Sequence, residues 1–231
     1  MPRIRVVDTE TQGLEDDHKV CEFAFTDLIK AGDDWTVSDT FSTLCQVDHM
    51  PPAARAVHHI SAAETQGFPR FDPEAMWAQA KSDGVDVIAA HYLAFDLRHF
   101  GEPQLPMICT WKAALRVWPD APEHKNGTLR YWLEDRGDIA PDPALCVPAH
   151  RAGPDTYVTA HLLLAMLNHA TAAQMVAWQK EPPQLPRCTI GDWRGKPWPE
   201  VDAGFLRWMI NKPVEPDLVW NARRELERRA A

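Results

Sequence analysis

Three short stretches of this 231-residue chain carry side chains able to do chemistry together. Asp8-Thr9-Glu10 ends a short β-branched run, Ile4-Arg5-Val6-Val7. Residues i and i+2 of a strand face one side, so both carboxylates converge on one point. His91-Tyr92-Leu93-Ala94-Phe95-Asp96 follows the buried-strand pattern Val85–Ala90, and His150-Arg151-Ala152-Gly153-Pro154-Asp155 leads into a strongly patterned helix. Strand ends followed by helix starts are where α/β folds display their chemistry. Each stretch also has a plainer use: a solvated strand end, an Asp96 that caps a helix, an Asp155 that complements a helix dipole. Gathered in one place, such carboxylates can serve metals.

The elements that must position them read as follows. Ile4–Asp8, Val20–Lys30 and Trp35–Val47 are strand-like, the last two separated by the turn Ala31-Gly32-Asp33-Asp34, which predicts an antiparallel meander. Ser61-Ala62-Ala63-Glu64 is a capping box, and Asp72-Pro73 sets a cap and a first-turn proline before a helix over Glu74–Ser82. After Val85–Ala90 come helical patterns at Thr110–Trp118, Thr128–Arg136 and Pro154–Asn168, then Thr171–Lys180. In the third, Val158, Leu162, Ala165 and Met166 form a core-facing stripe, with Gly153 as its cap. The fold class is α/β, a mixed sheet (antiparallel meander plus parallel strands) flanked by helices. Glu181-Pro182-Pro183-Gln184-Leu185-Pro186-Arg187 is a proline-rich linker, and two short helical patterns, Asp202–Ile210 and Glu215–Arg229, follow it. The domains expected are 1–180, a linker over 181–188, and a small C-terminal domain over 189–231.

Asp-x-Glu ending a first strand, His-x-x-x-Phe-Asp after a later one and His-x-Ala-x-x-Asp opening a late helix together resemble the DEDDh exonuclease superfamily, over about residues 3–168. The resemblance implies a ribonuclease H-like fold. It makes Asp8, Glu10, Asp96 and Asp155 the ligands of two divalent ions, Mg²⁺ or Mn²⁺, and His150 the general base. The implied reaction is 3′–5′ hydrolysis of DNA, releasing nucleoside 5′-monophosphates. The implied partner is DNA with a free 3′ end, single-stranded or frayed; RNA, as for a trimming exoribonuclease, and a proofreading role beside a polymerase are the alternatives. An inactive module that only holds nucleic acid or protein is opposed by the presence of all five residues. One departure stands out: the superfamily commonly has Asn where Tyr92 stands, which puts the conformation of that loop in question.

Further segments, among them Ala56-Val57-His58-His59-Ile60-Ser61 and Ile108-Cys109-Thr110-Trp111-Lys112, narrow the resemblance to one branch that carries a small C-terminal domain. It implies substrate contacts at Thr9, Thr11, Leu14, His58 and Ile60. In the C-terminal domain, tryptophans interleaved with basic residues suit single-stranded nucleic acid, because bases stack on aromatic rings. Trp193 beside Arg194 is the binding candidate there, whereas Trp208, at helical spacing from Phe205, equally fits a small core.

Composition bounds these readings. With 45% hydrophobic and 25% charged residues the chain is an ordinary globular protein. Five scattered cysteines without a Cys-x-x-Cys pair support neither a zinc ribbon nor a disulfide framework. Free thiols, no signal-peptide pattern and no stretch long enough to span a bilayer predict a cytoplasmic protein without membrane contact; oligomeric state is not legible. The formal net charge of −9 argues against a basic nucleic-acid binder of the usual kind. It divides unevenly: residues 1–184 hold 15 basic and 26 acidic residues, a balance of −11, and residues 185–231 hold 9 and 7, a balance of +2.

Overall fold

The computed structural model describes residues 1–15 and 17–230. Its sheet has the order β3-β2-β1-β4-β5. The meander is β1 (Arg3–Thr11), β2 (Val20–Ala31) and β3 (Asp34–Leu44), paired antiparallel. β4 (Val87–Ala90) and β5 (Met107–Cys109) extend it in parallel from the other edge of β1. This is the mixed sheet that the strand grammar predicts, with β3 ending three residues short of Val47.

Alternation along β1 sorts its residues between two cores. Ile4 and Val6 pack with Leu28, Ala89 and Ile108 under α4 (Thr110–Val117), α5 (Asn126–Asp135), α6 (Ala152–Met166) and α7 (Ala172–Gln179). Val7 faces the opposite layer, with Trp77 of α2 (Pro73–Ser82) and Phe100 of α3 (Leu97–Phe100). Continuing the alternation, Asp8 and Glu10 fall on the α6 side and Thr9 on the α3 side. On that second side Arg5 is buried, bonding Asp27 through both carboxylate oxygens at 2.8 and 2.9 Å and Asp83 at 2.8 Å, so the end of α2 is fixed to the sheet.

Two helix expectations are corrected. The capping box forms, with Ser61 N–H donating to Glu64 at 2.7 Å and Glu64 N–H to Ser61 Oγ at 3.3 Å, yet only turns follow. Gly67, at φ +87°, and Pro69 end the segment before a second helical turn can propagate. The helix in this region is instead α1 (Pro52–His58), whose buried residues are only Ala54 and His58, too few to print an apolar period. In α6 the cap residue is Arg151, not Gly153, which lies inside the first turn against the Ser42 side chain. Asp72 caps α2 as expected, accepting from Glu74 N–H at 2.9 Å.

Beyond α7 a separate small core of Cys188, Trp198, Val201, Leu206, Met209, Leu218 and Ala222 is built on α8 (Ala203–Ile210) and α9 (Pro216–Ala230). Buried Asn221 of α9 donates to the Pro183 carbonyl at 2.9 Å and accepts from Leu185 N–H at 3.0 Å. The second half of the proline-rich stretch is therefore packed onto the C-terminal unit. All five cysteines are buried free thiols. Among the described residues, no helix is long and apolar enough to cross a membrane.

Candidate active site

The C-terminal end of β1 brings Asp8 and Glu10 beneath the first turn of α6, where Asp155 stands. One carboxylate oxygen from each of these three residues lies within 4.8 Å of the others. The donor set is all oxygen, which suits a hard divalent cation. Asp96, just ahead of α3, is fully buried and lies outside that three-residue group: its Oδ1 accepts the Thr9 hydroxyl at 2.8 Å. Thr9, read from sequence as a substrate contact, is thus a buried residue that holds Asp96.

Burial raises the pKa of every one of these acids. Glu10 is pushed up to about 8, first by desolvation and then by the charges of Asp155, Glu22 and Asp96. Asp8 rises well above the ordinary range by burial and by the charges of Asp96, Asp155, Glu10 and Glu22. Asp96 is raised by burial against the pull of the Thr9 hydroxyl and nearby N–H groups. Asp155 is raised by burial against His150. Such a cluster is short of positive charge, which divalent cations bound there would supply.

Asp155 is positioned from three directions. The His150 backbone N–H donates to its Oδ2 at 3.1 Å, with His150 in the left-handed region at φ +59°. Asn126, first residue of α5, donates to the Asp155 carbonyl at 3.2 Å. Glu22, directly across from Glu10 in the β1–β2 register, accepts two bonds from Arg151 at 2.9 and 2.7 Å and one from Ala152 N–H at 2.9 Å. Sequence reading missed Glu22 and Asn126. A lone carboxylate inside the apolar run Cys21-Glu22-Phe23 was the available signal for the first, and the turn-forming Asn126-Gly127 pair for the second.

Two clefts flank the acids. One of about 410 Å³ is lined by Asp8, Asp155, His150, His91, Asn126 and Tyr131. Its His91 is held between the Thr110 hydroxyl at 3.0 Å and the His124 carbonyl at 2.9 Å, and burial pushes its pKa down to about 4, so it is neutral. The other, about 490 Å³, is lined by Glu10, Thr11, Leu14, Val57, His58 and Phe95. Leu14 is 75% exposed on the loop after β1. The base of that loop is clamped by buried Gln12, whose side chain accepts from Lys19 N–H at 2.9 Å and donates to the His49 carbonyl at 2.6 Å.

The remaining site residues separate. Thr11 is buried, its hydroxyl donating to the Gly13 carbonyl at 2.6 Å. His58 is buried, its Nδ1 accepting from Ile60 N–H at 3.0 Å, and burial lowers its pKa. Ile60 packs with Cys21 and Val47 in the core, so its side chain offers no surface to a substrate. Arg194 is exposed, but Trp193 is half-buried against the small C-terminal core. Trp208 takes the exposed place instead, 45% accessible and stacked on Phe205 with ring centroids 5.2 Å apart. Tyr92 answers the question raised by its type: its φ is +60°, a conformation Asn tolerates and Tyr does not favour, and its exposed ring meets Trp111 edge-on at 5.0 Å.

No protein-family model matches the chain. It is 31% identical over 232 residues to exodeoxyribonuclease 10 of Escherichia coli K12, covering 97% of this chain and 99% of that protein. A solved structure of exonuclease X in complex with 5′ overhanging duplex DNA superposes with a TM-score of 0.61 at 30% identity, covering 76% of this chain and 98% of that one. The nuclease domain of 3′hExo, a DEDDh family member bound to rAMP, shares the fold at TM-score 0.53 and 16% identity, over 73% of this chain and 92% of that one.

Proposed function

Because this chain belongs to the exodeoxyribonuclease X family of DEDDh 3′–5′ exonucleases, which are nuclease hydrolases, we propose that it removes nucleotides from the 3′ end of DNA and releases nucleoside 5′-monophosphates. The observation that carries this reading is the meeting of Asp8, Glu10 and Asp155 oxygens within 4.8 Å beside a cleft that His150 lines.

In this reading Asp8, Glu10, Asp155 and Asp96 hold two divalent ions, Mg²⁺ or Mn²⁺. Ions held by these residues would supply positive charge to the attacking water and to the oxygen leaving phosphorus. His150 takes the proton from the attacking water at a ring nitrogen. Its backbone bond to Asp155 fixes the loop from which the ring is presented. The cleft with Leu14, Val57 and Phe95 receives the terminal nucleotide, offering an apolar wall to the base while Glu10 faces the sugar–phosphate. His91, kept neutral, orders the opposite wall through Thr110 and His124. DNA is preferred as the substrate because the 31%-identical relative is named an exodeoxyribonuclease.

The test uses 5′-labelled single-stranded DNA and RNA of one sequence, with Mg²⁺, with Mn²⁺ and with chelator. We expect DNA to shorten from its 3′ end only in the presence of metal. No shortening of either polymer with any divalent metal would overturn the reading, and preferential shortening of RNA would replace its substrate.

A further inference from the structure

The domain that holds the four acids is strongly negative, yet one of its clefts is basic. On the far side of the loop after β1, a cleft of about 360 Å³ is lined by His18, Lys19, Arg70, Arg98, His99 and Phe71. Three of the 15 basic residues of the −11 segment converge there with two histidines. The cleft adjoins the terminal-nucleotide pocket: His18 lines both, and Arg98 Nη1 donates to the carbonyl of Leu14 at 2.7 Å.

Described residues at the base of the loop between the two cavities are tied down. Gln12 clamps its base through Lys19 N–H and the His49 carbonyl. Its turn is closed by Gly13, where an added Cβ would come within 2.5 Å of the His18 ring, at φ +152°. Lys19 and Arg70 are both exposed. Arg70 pairs with Asp48 at 2.7 Å, but that carboxylate is itself 74% exposed, and such a surface pair is worth little, so exchange for a phosphate costs little. Cations set in a concave surface focus their field and capture polyanions even where net charge is negative.

We propose that this basic cleft binds the sugar–phosphate backbone of a nucleic-acid strand beyond the Leu14 loop, a second anchor distinct from the acidic centre. The inference rests on the exonuclease reading for the identity of the ligand as nucleic acid. It places backbone recognition within the nuclease domain itself, through Lys19 and Arg70 above all. Phosphate neutralisation of this kind releases counterions and shows itself in the salt dependence of binding.

The experiment compares wild type with the double variant Lys19→Gln/Arg70→Gln. Fluorescence anisotropy follows a 5′-fluorescein 20-nucleotide strand with 3′-terminal phosphorothioates, free and annealed in a duplex, at 50 to 200 mM salt. We expect the dissociation constant to rise about 5- to 20-fold for at least one of the two forms. The slope of log K against log salt should fall by about 1.4 for the single strand or 1.8 for the duplex, as for two lost phosphate contacts. Lys30→Gln/Lys81→Gln, which removes equal charge at the opposite end of the sheet, should change affinity less than twofold. Unchanged affinity and slope for both forms would overturn the proposal, as would an equal loss in the control pair. Wild-type turnover of thymidine 5′-(p-nitrophenyl phosphate) with Mn²⁺ tests the catalytic centre separately. Its failure would fault the exonuclease reading, while the anisotropy comparison still decides the cleft.

Discussion

Glu22 and Arg151 stand 129 residues apart in sequence and meet in a two-bonded ion pair, at 2.9 and 2.7 Å, that fastens the first turn of α6 to β2. The pair sits beside Glu10, so one part-buried contact sets the distance between the acids of β1 and the acid of α6. Arg151 also lowers the pKa of Glu10, against the combined push of burial and neighbouring acids.

Glu22→Gln should therefore damage both fold and site. Loss of a charge-assisted bidentate contact costs about 1.5–3 kcal/mol, read as a shift in the urea midpoint. Displacement of Asp155 should lower activity about 10- to 100-fold, the range seen when partners of metal ligands are removed. Wild-type activity in this variant would show that Asp155 is positioned by other means.

Asp155→Asn should separate stability from activity. Activity should fall by at least about 10²-fold, because an oxygen proposed to hold the cation is lost with its charge. The metal-free protein should be as stable as wild type or more so, since one of the mutually repelling carboxylates is gone. Thermal melting in chelator, set beside an exonuclease assay, reads both; a large loss of stability would contradict the electrostatic account.

The pH dependence has a definite sign. Glu10 rises from an ordinary 4.5 to about 8 on folding, so between those values the folded state holds more protons than the unfolded one. Its contribution is fully present below about pH 4.5 and is lost as pH climbs through about 8. In chelator, wild type should lose stability relative to Glu10→Gln across that window. If these acids hold metal as proposed, added Mn²⁺ should reverse the trend, because metal takes the deprotonated acids and its affinity grows with pH. A stability difference independent of pH would refute the assignment.

Tyr92 and Trp111 provide a test of strain. Tyr92→Asn should be nearly neutral by itself, the relieved left-handed backbone (about 1 kcal/mol) offsetting the lost ring contact. In a Trp111→Leu background the same substitution should stabilise, giving a coupling of about 0.5–1.5 kcal/mol between the two rings. A coupling of zero would mean that the edge-on contact does not hold the tyrosine in place.

In the C-terminal unit, Trp208→Ala and Trp193→Ala should behave oppositely. The first should leave the melting temperature unchanged while weakening single-strand binding by about 1–3 kcal/mol. The second should destabilise the unit, as removal of a packed aromatic does. Equal effects on binding without loss of stability would return Trp193 to the role its neighbour Arg194 implies.

These contrasts mark where sequence stops being informative. Period-2 alternation placed Asp8 and Glu10 on one face, and the apolar stripe of α6 with its acidic first turn placed Asp155, because both signals are local. The role of Glu22 was not read because its partner Arg151 arrives from the start of α6, 129 residues on, and the bond from Thr9 to Asp96 because it crosses from one element to another. Helical spacing put Phe205 and Trp208 on one face but could not say which face is buried; Leu206 and Met209 fill the core instead. The capping box at Ser61–Glu64 formed its bonds without a helix, since capping favours a start but cannot extend one past Gly67 and Pro69.

The proline-rich stretch has a mechanical consequence. Lys112 of α4 donates to the carbonyls of Gln179 and Glu181, each at 2.8 Å, and Asn221 grips Pro183 and Leu185 from the other side. Only Pro182 lies between the two sets of bonds, so the tether has almost no slack. Were a strand held by the C-terminal unit, as the Trp208 prediction tests, it would meet the nuclease domain at an effective concentration set by that short leash and not by its concentration in solution. Weak contacts on each unit would then multiply into retention of the polymer between successive cuts.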